Sequence, residues 1–465
     1  MHTRLKDQWP TLLVAALAGT FGVALLHITG LLAAAIAADD VTGQSGTVAL
    51  MLGLVAVVFI VIAVYVSAIV TANTVSTVVA GRTRLIALLR LIGSSARAQR
   101  AQIAREGLLV GAMGAAIGVV AGTAIAFGLE EVSVANDLMP ATEYDYLNAL
   151  IVLPAIAVVI TTWLASWVGS RRVLRVRPIQ AIGNANEQDR EELGQRRGRN
   201  ITALVLFIVG IGLLAAGVIW GLTDPFGVLI GMVGGLVSFT GIVLGAHVVM
   251  PPVLRIVGRL FGSSPAARLA AENAVRHPER SSRMTIGLVI GVTLVTTFSV
   301  TMESYRAMLL AAQEAHPEVY AGIDDMLNVT VAVFTVLIGF SALIAAIGMV
   351  NTLSLSVMQR TRELGLLRAL GFDRRQLRHM IVVESAALTL AATFTGIVLG
   401  FGYGWAGAQA LLGGAQAEPT FVLPGLPWAL FGGLLVAAGV LTLVASIAPA
   451  RRAMRVSPVV ALAVD

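Results

Sequence analysis

The sequence predicts an all-α integral membrane protein with ten transmembrane helices, arranged as two pseudo-symmetric halves of four spans joined by two extra spans. Three observations carry this prediction. Charged residues make up 12% of the chain and hydrophobic residues 57%, with a mean hydropathy of +0.86. An ordinary soluble domain carries about 25% charged residues, so this chain lacks the polar surface a water-soluble protein needs. Long apolar runs recur from one end to the other, each near the ~20 residues that cross a bilayer. The sequence also matches itself at a fixed offset. Soluble enzymes, disordered chains and fibrous proteins are excluded together.

The ten runs lie at roughly 11–38, 47–80, 106–129, 147–169, 201–222, 227–248, 284–303, 326–357, 381–404 and 427–449. Barrel strands are shorter and alternate in polarity, which favours helices here. Arginines crowd the loops of one side: Arg82, Arg84, Arg90, Arg97, Arg100 and Arg105 in one, Arg171 to Arg199 in the next. Segments 255–283, 360–378 and 451–455 are equally basic. The opposite loops are acidic, with Glu130, Glu131, Asp137, Asp224, Glu314 and Asp325. Positive charge is retained in the cytoplasm. The expected topology is multi-pass in a bacterial cytoplasmic (plasma) membrane, with both termini cytoplasmic. The acidic outer loops are the complement of that rule.

Shifting the sequence by 278 residues superposes Asn73-Thr74 on Asn351-Thr352 and Arg82-Thr83-Arg84 on Arg360-Thr361-Arg362. Leu88-Leu89-Arg90, Gly93, Glu106, Gly118 and Gly122 fall on Leu366-Leu367-Arg368, Gly371, Glu384, Gly396 and Gly400. Over 73–122, 18 of 50 positions are identical. After a two-residue shift, Arg171-Arg172 and Pro178 fall on Arg451-Arg452 and Pro458. Each repeat starts on the same side of the membrane, which makes it a parallel repeat. The expected domains are a first half at 1–182, a polar cytoplasmic linker at 183–200, connecting spans at 201–250, and a second half at 251–465 that opens with a juxtamembrane helix.

No cysteine occurs, which removes disulfides, thiolate metal sites and cysteine nucleophiles. Lys6 is the sole lysine, in Arg-Leu-Lys-Asp, and a P-loop needs lysine after a glycine-rich turn. The chain therefore carries no Walker-type ATPase of its own, and no residue is assigned to catalysis, a cofactor or a metal. A net charge of +6 with pI near 10.2 raises nucleic acid as a partner. The arginines sit at the ends of apolar runs, so nucleic acid is rejected and membrane lipids are the expected surroundings.

Between spans 8 and 9 the chain reads Arg-Thr-Arg-Glu-Leu-Gly-Leu-Leu-Arg-Ala-Leu-Gly over 360–371. Leu364, Leu367 and Leu370 share a helical face and Gly371 is placed to end the helix. An apolar ridge ringed by arginine suits either a cytoplasmic partner or anionic lipid. This stretch, the glycine-bearing ninth span, the closing Ala450-Arg451-Arg452-Ala453 to Pro458, and Asn273-Ala274-Val275-Arg276-His277-Pro278-Glu279-Arg280-Ser281 before span 7 together resemble the FtsX/MacB-type family of ABC transporter permeases. The resemblance covers about 260–465 well and 47–180 more weakly. The layout also resembles the permeases of bacitracin-export-type and lipoprotein-release-type systems.

The resemblance implies a permease that does no chemistry itself. It implies a separate cytoplasmic ABC ATPase that binds ATP and Mg, in two copies per chain, docked on the helices after spans 2 and 8. The implied coupling residues are Arg360, Arg362, Glu363, Leu364, Gly365, Leu367, Arg368 and Gly371, with Arg82, Arg84, Leu88, Arg90 and Gly93 in the first half. The implied task is export or membrane extraction of an amphipathic or lipophilic compound, such as a lipid, a peptide antibiotic or a drug. A mechanical signalling permease is the alternative; an ion-driven transporter is disfavoured by the absence of mid-span charge. The chain departs from the family pattern in three ways. Leu85 and Ala87 replace Glu363 and Gly365, which implies unequal ATPase contacts. Only about 22 residues separate spans 7 and 8, so the family's large outer domain is missing. No comparable elbow helix precedes span 1.

Asn73 and Asn351 are expected to join helices by hydrogen bonds, and Gly118, Gly122, Gly396 and Gly400 to pack helices as small-xxx-small ridges. Glu106 and Glu384 are expected to open helices and complement their dipoles. His27 is expected to be a packed residue, and Met302–Ala321 an outer lateral helix.

Overall fold

The computed structural model describes residues 9–37, a series of helical positions between 53 and 73, 87–135 except Arg90, 144–146, 149–171, 190–259, 278–315, 371–413, and 421–455 except Val422. Among the described residues the regular structure is helical and no strand occurs. Long apolar sequences in lipid must satisfy every backbone group internally, and helices do so within one segment. The helices are α1 (Trp9–Ala37), α2 (Ala96–Ala135), α3 (Val152–Gly169), α4 (Arg190–Gly221), α5 (Gly227–Gly258), α6 (Pro278–Ala315), α7 (Arg374–Leu412) and α8 (Trp428–Arg455). A short 3-10 turn, Ala149–Ile151, leads into α3. Seven of these helices are long and apolar enough to cross a membrane, and α8 contributes a shorter apolar stretch, Trp428–Val440. They correspond to expected spans 1, 3 to 7, 9 and 10. Span 8 lies outside the described residues, and span 2 is described only in part.

Two helix pairs build the two halves: α1 packs along α2, and α6 along α7. α3 then packs on α2 as α8 packs on α7. Gly118 and Gly122 permit the first approach. A Cβ at Gly118 would stand 2.6 Å from the Gly19 backbone, and one at Gly122 would stand 2.8 Å from the Thr20 carbonyl oxygen and the Val23 side chain. In the second half a Cβ at Gly400 would stand 2.6 Å from the Thr293 carbonyl oxygen and 2.5 Å from the Thr296 side chain. Matched glycines thus meet matched atoms, Thr20 with Thr293 and Val23 with Thr296. Spans 1 and 7 therefore belong to the repeat, at an offset of 273 rather than 278, although their sequence identity is weak.

The α4–α5 hairpin has no counterpart. Both of its helices pack against α7, and α5 also packs against α6. One core cluster unites Met250 and Leu254 of α5, Leu288 and Val292 of α6, and Leu388 and Ala391 of α7. Another joins Val14 of α1 and Val66 of the second span to Phe239 of α5 and Ile290 of α6, and so ties the first half to the second.

Several helices overrun their apolar runs. α4 begins at Arg190, inside the stretch expected as a polar linker. α6 starts at Pro278, a favourable first helical residue because its missing N–H needs no partner there. It continues unbroken to Ala315. Residues 302–315 are thus the end of the seventh span's own helix and not a separate lateral helix; 316–321 lie outside the described residues.

Candidate functional site

The implied docking segments end at Gly93 and Gly371. Both glycines are left-handed, with φ of +99° and +98°, and a Cβ at either would meet nothing within 4 Å. The glycine is therefore required by the turn and not by crowding. In the first half the Ile92 amide donates to the Leu88 carbonyl at 3.2 Å and the Ser94 amide to the Leu89 carbonyl at 3.0 Å. The second of these spans five residues, the closure of a Schellman stop. After each stop the chain runs straight into an N-cap. The Ala98 amide donates to Ser95 Oγ at 3.1 Å. The Gln376 amide donates to Asp373 Oδ1 at 2.7 Å, and Gln376 Oε1 accepts from the Asp373 amide at 3.0 Å, a complete capping box. Ser95 and Asp373 are related by the same 278-residue offset as the glycines. The first half thus presents a helix–glycine–cap–helix joint, and the described residues of the second half repeat its glycine, cap and following helix.

The capped starts at Ala96 and Arg374 correct one expectation. Glu106 and Glu384 lie nearly three turns into α2 and α7, beyond the first-turn reach of the helix dipole. Glu106 instead accepts from Gln102 Nε2 at 3.1 Å.

Leu88 and Leu91 are about half exposed, at 47% and 48%, and Ile92 is 81% exposed, while Ala87 between them and Arg84 is fully buried. An apolar edge is thus exposed at the end of this segment. The joint is anchored from the other face. Arg100 donates from Nη2 to the Trp167 carbonyl at 3.0 Å, and its guanidinium lies 4.4 Å from the Trp167 ring centroid. Arg171 lies over the same ring at 5.9 Å. This ties the start of α2 to the end of α3, a contact that sequence reading missed because Arg100 looked like one more loop arginine. Asn73 is half-buried in helical conformation and is not free of partners. Arg82, Arg84, Arg90, Asn351, Arg360, Arg362, Glu363, Leu364, Gly365, Leu367 and Arg368 lie outside the described residues.

At the opposite end of the first half, His27 is fully buried, as expected of a packed residue. Its Nε2 lies 3.1 Å from Thr123 Oγ1, and its ring packs on Tyr144 and Tyr146 at centroid distances of 5.8 and 5.2 Å. Tyr146 donates its hydroxyl to Glu130. Burial, the Glu130 hydrogen bond and the Glu130 charge push the Tyr146 phenol well above its ordinary value, and burial raises Tyr144 as well. Among the described residues no His, Cys, Asp and Glu cluster could hold a metal ion.

A comparison with protein families now decides the assignment. The FtsX-like permease C-terminal model matches residues 57–178 and again 335–458, just over half of the chain. The chain belongs to the FtsX-like permease family. The two matches start 278 residues apart (335 − 57) and end 280 apart (458 − 178), which reproduces the internal repeat and its two-residue shift. This FtsX-like permease is 30% identical over 162 residues to a Bacillus subtilis protein named an uncharacterized ABC transporter permease, YknZ, covering 35% of this chain and 37% of that one. It is 28% identical over 193 residues to the macrolide export ATP-binding/permease protein MacB of Wolinella succinogenes, covering 38% of this chain and 28% of that one. It is 31% identical over 122 residues to the pyoverdine export ATP-binding/permease protein PvdT of Pseudomonas syringae, covering 26% and 17%. The matches thus span well under half the length of these relatives. The FtsX-like permease is an all-α, multi-pass membrane protein of the ABC transporter permease family.

Proposed function

We propose that this chain is the transmembrane subunit of an ABC exporter that couples ATP hydrolysis in a separate ATPase to export or membrane extraction of an amphipathic or lipophilic compound. It has ten spans, two four-span halves around the α4–α5 pair, and both termini in the cytoplasm. One ATPase copy docks on each joint, through Arg82–Gly93 and through Arg360–Gly371. The observation that carries this reading is the pair of matched joints, Gly93 and Gly371 at φ of +99° and +98°, each feeding a capped span directly. A docking helix that ends in a defined stop transmits displacement to the next span, whereas a flexible loop would absorb it. The uncovered Leu88, Leu91 and Ile92 edge supplies affinity: burying an exposed leucine or isoleucine side chain stabilises a contact by about 1.5–3 kcal/mol. With Lys6 as sole lysine, these 465 residues hold no P-loop, and the reading places the ATP and Mg sites on a partner ATPase.

The test is capture of the permease from its native membrane in mild detergent, comparing wild type with Glu363→Ala/Arg368→Ala and with Ile92→Asp. A P-loop ATPase co-purifies with wild type and is weakened by each change. An intact, folded wild-type chain that brings no ATPase overturns the proposal.

A further inference from the structure

A cavity of about 170 Å³, partly open on one side, lies between the second span and helices α4, α5, α6 and α7. That is below the range of about 300–1,000 Å³ that whole small-molecule sites occupy, and suits a segment of one chain rather than an entire ligand. Ile62, Leu214, Met232, Ile290, Phe298 and Leu411 are among its walls, and no charged residue lines it. The tyrosines on it have their hydroxyls occupied. Tyr65 lies 2.7 Å from Thr240 Oγ1 and donates to the Leu236 carbonyl at 3.1 Å, and the Tyr403 hydroxyl lies 2.9 Å from Ser238 Oγ. Tyr65, Phe239 and Tyr403 then stack edge to face, with centroids 6.4 and 6.3 Å apart, as a continuous aromatic floor. Thr301 donates to the Gly404 carbonyl at 3.0 Å, and the Thr293 hydroxyl, buried in the wall, has no hydrogen-bond partner. One unpaired hydroxyl does not make a headgroup site.

The cavity's depth follows from the topology. Val228 and Ala410 lie at the ends of α5 and α7 opposite to the arginine-rich loops, Thr301 lies at the far end of the seventh apolar run although α6 continues to Ala315, Phe239 lies near the middle of α5, and Ile290 lies a third of the way along α6. The space therefore opens toward the outer ends of these spans and reaches inward past their middle at Ile290. An apolar cavity at that depth, with its polar groups turned inward to the protein, fits a hydrocarbon chain whose headgroup stays at the outer surface.

We propose that this cavity binds the aliphatic chain of an amphiphile drawn from the outer leaflet. The assignment rests on the export reading above and names the class of compound it moves: a molecule with at least one alkyl chain. Gly235 and Gly407 both line the space. A Cβ at Gly235 would meet nothing within 4 Å, and one at Gly407 only Thr301 Oγ1 at 4.0 Å. A large side chain at either enters the cavity without a backbone clash. Gly402, on α7 but outside the lining and equally open, is the control.

The experiment uses the full chain alone in nanodiscs doped with a phosphatidylcholine whose acyl chain ends in a diazirine. In wild type, photolabel on Ile62, Met232 and Phe298 saturates as the doped fraction rises, while label on lipid-facing Ile208 and Val440 rises in proportion. Gly235→Phe and Gly407→Phe lower the cavity label about tenfold, the order of effect a steric block produces in an apolar pocket, and Gly402→Phe leaves it unchanged. Gly235→Val and Gly407→Val give intermediate losses and serve where the phenylalanine variants do not fold. Label that rises in proportion at every site, or that survives filling of the cavity, overturns the assignment. The ATPase is absent from this assay, so a chain that captures its ATPase yet shows no saturable label refutes the cavity alone.

Discussion

Gly93→Ala isolates the conformational demand of the coupling joint. The added Cβ meets nothing within 4 Å, so no packing cost enters. What remains is the backbone at φ +99°, where an L-residue is disfavoured by about 1–2 kcal/mol. That free energy is charged against the local closed state, held by the Ile92-to-Leu88 and Ser94-to-Leu89 hydrogen bonds at 3.2 and 3.0 Å. A loss of 1–2 kcal/mol raises the open population about 5–30-fold. Amide hydrogen exchange reads such local opening directly. The Ile92 and Ser94 amides of Gly93→Ala should exchange about 5–30-fold faster than those of wild type. Gly128→Ala, on the same α2 helix with nothing within 4 Å and no positive φ, should leave them unchanged. Gly371→Ala, at φ +98°, should accelerate exchange at its own joint to a similar extent. Unchanged exchange in Gly93→Ala would show that the joint does not depend on a left-handed residue, and the idea of a rigid stop would fall.

Gly122→Ala and Gly400→Ala should each cost about 1–3 kcal/mol of stability, because a Cβ at 2.8 and 2.5 Å from opposing atoms forces two packed helices apart. Denaturant titration in micelles checks the pair, and losses that differ by several kcal/mol would contradict a shared α1–α2 and α6–α7 register. Raising pH above 10 should destabilise the outer end of the first half. The Tyr146 phenol is harder to ionise folded than unfolded, so its contribution is complete below pH 10 and lost as pH climbs toward the raised folded value. Tyr146→Phe should flatten that part of the stability–pH curve, and an identical curve for wild type and variant would remove Tyr146 as its source.

Much of the architecture is legible because the repeat repeats its special backbone positions. Gly371 is read from sequence as a helix stop, Gly93 falls on it in the repeat, and both stand at positive φ. The helix starts are less legible. Arginines at 97, 100 and 105 draw the expected boundary of span 3 toward 106, although Asp373-x-x-Gln376 is a readable capping box that places the equivalent start ten residues earlier. The kinship of spans 1 and 7 escapes identity because the conserved quantity is a contact: Thr20 and Thr293 present backbone carbonyls to matched glycines, and a carbonyl has no residue type. His27 finds Tyr144 and Tyr146 across more than a hundred residues, a juxtaposition no local pattern encodes. The cavity is invisible for the same reason. It arises where five spans meet, and none carries a motif for it.

The connecting helices break the symmetry of the two halves, and the break falls where the work is done. α4 and α5 pack on α7, and α5 on α6, so the cavity is walled on these sides by the connecting helices interlocked with the second half. The remaining side is the second span, joined to α5 through Tyr65 and its bonds to Leu236 and Thr240. That span leads directly into Arg82–Gly93. On the proposed ATPase docking, a pull on the first joint would act on the wall formed by the second span, while a pull on the second joint would act on α7. Unequal motifs suit unequal tasks. Where the second half has Gly365, the first has Ala87, which is fully buried. Two equivalent ATPase strokes would on this geometry produce one asymmetric motion, a narrowing of the cavity from the side of the second span.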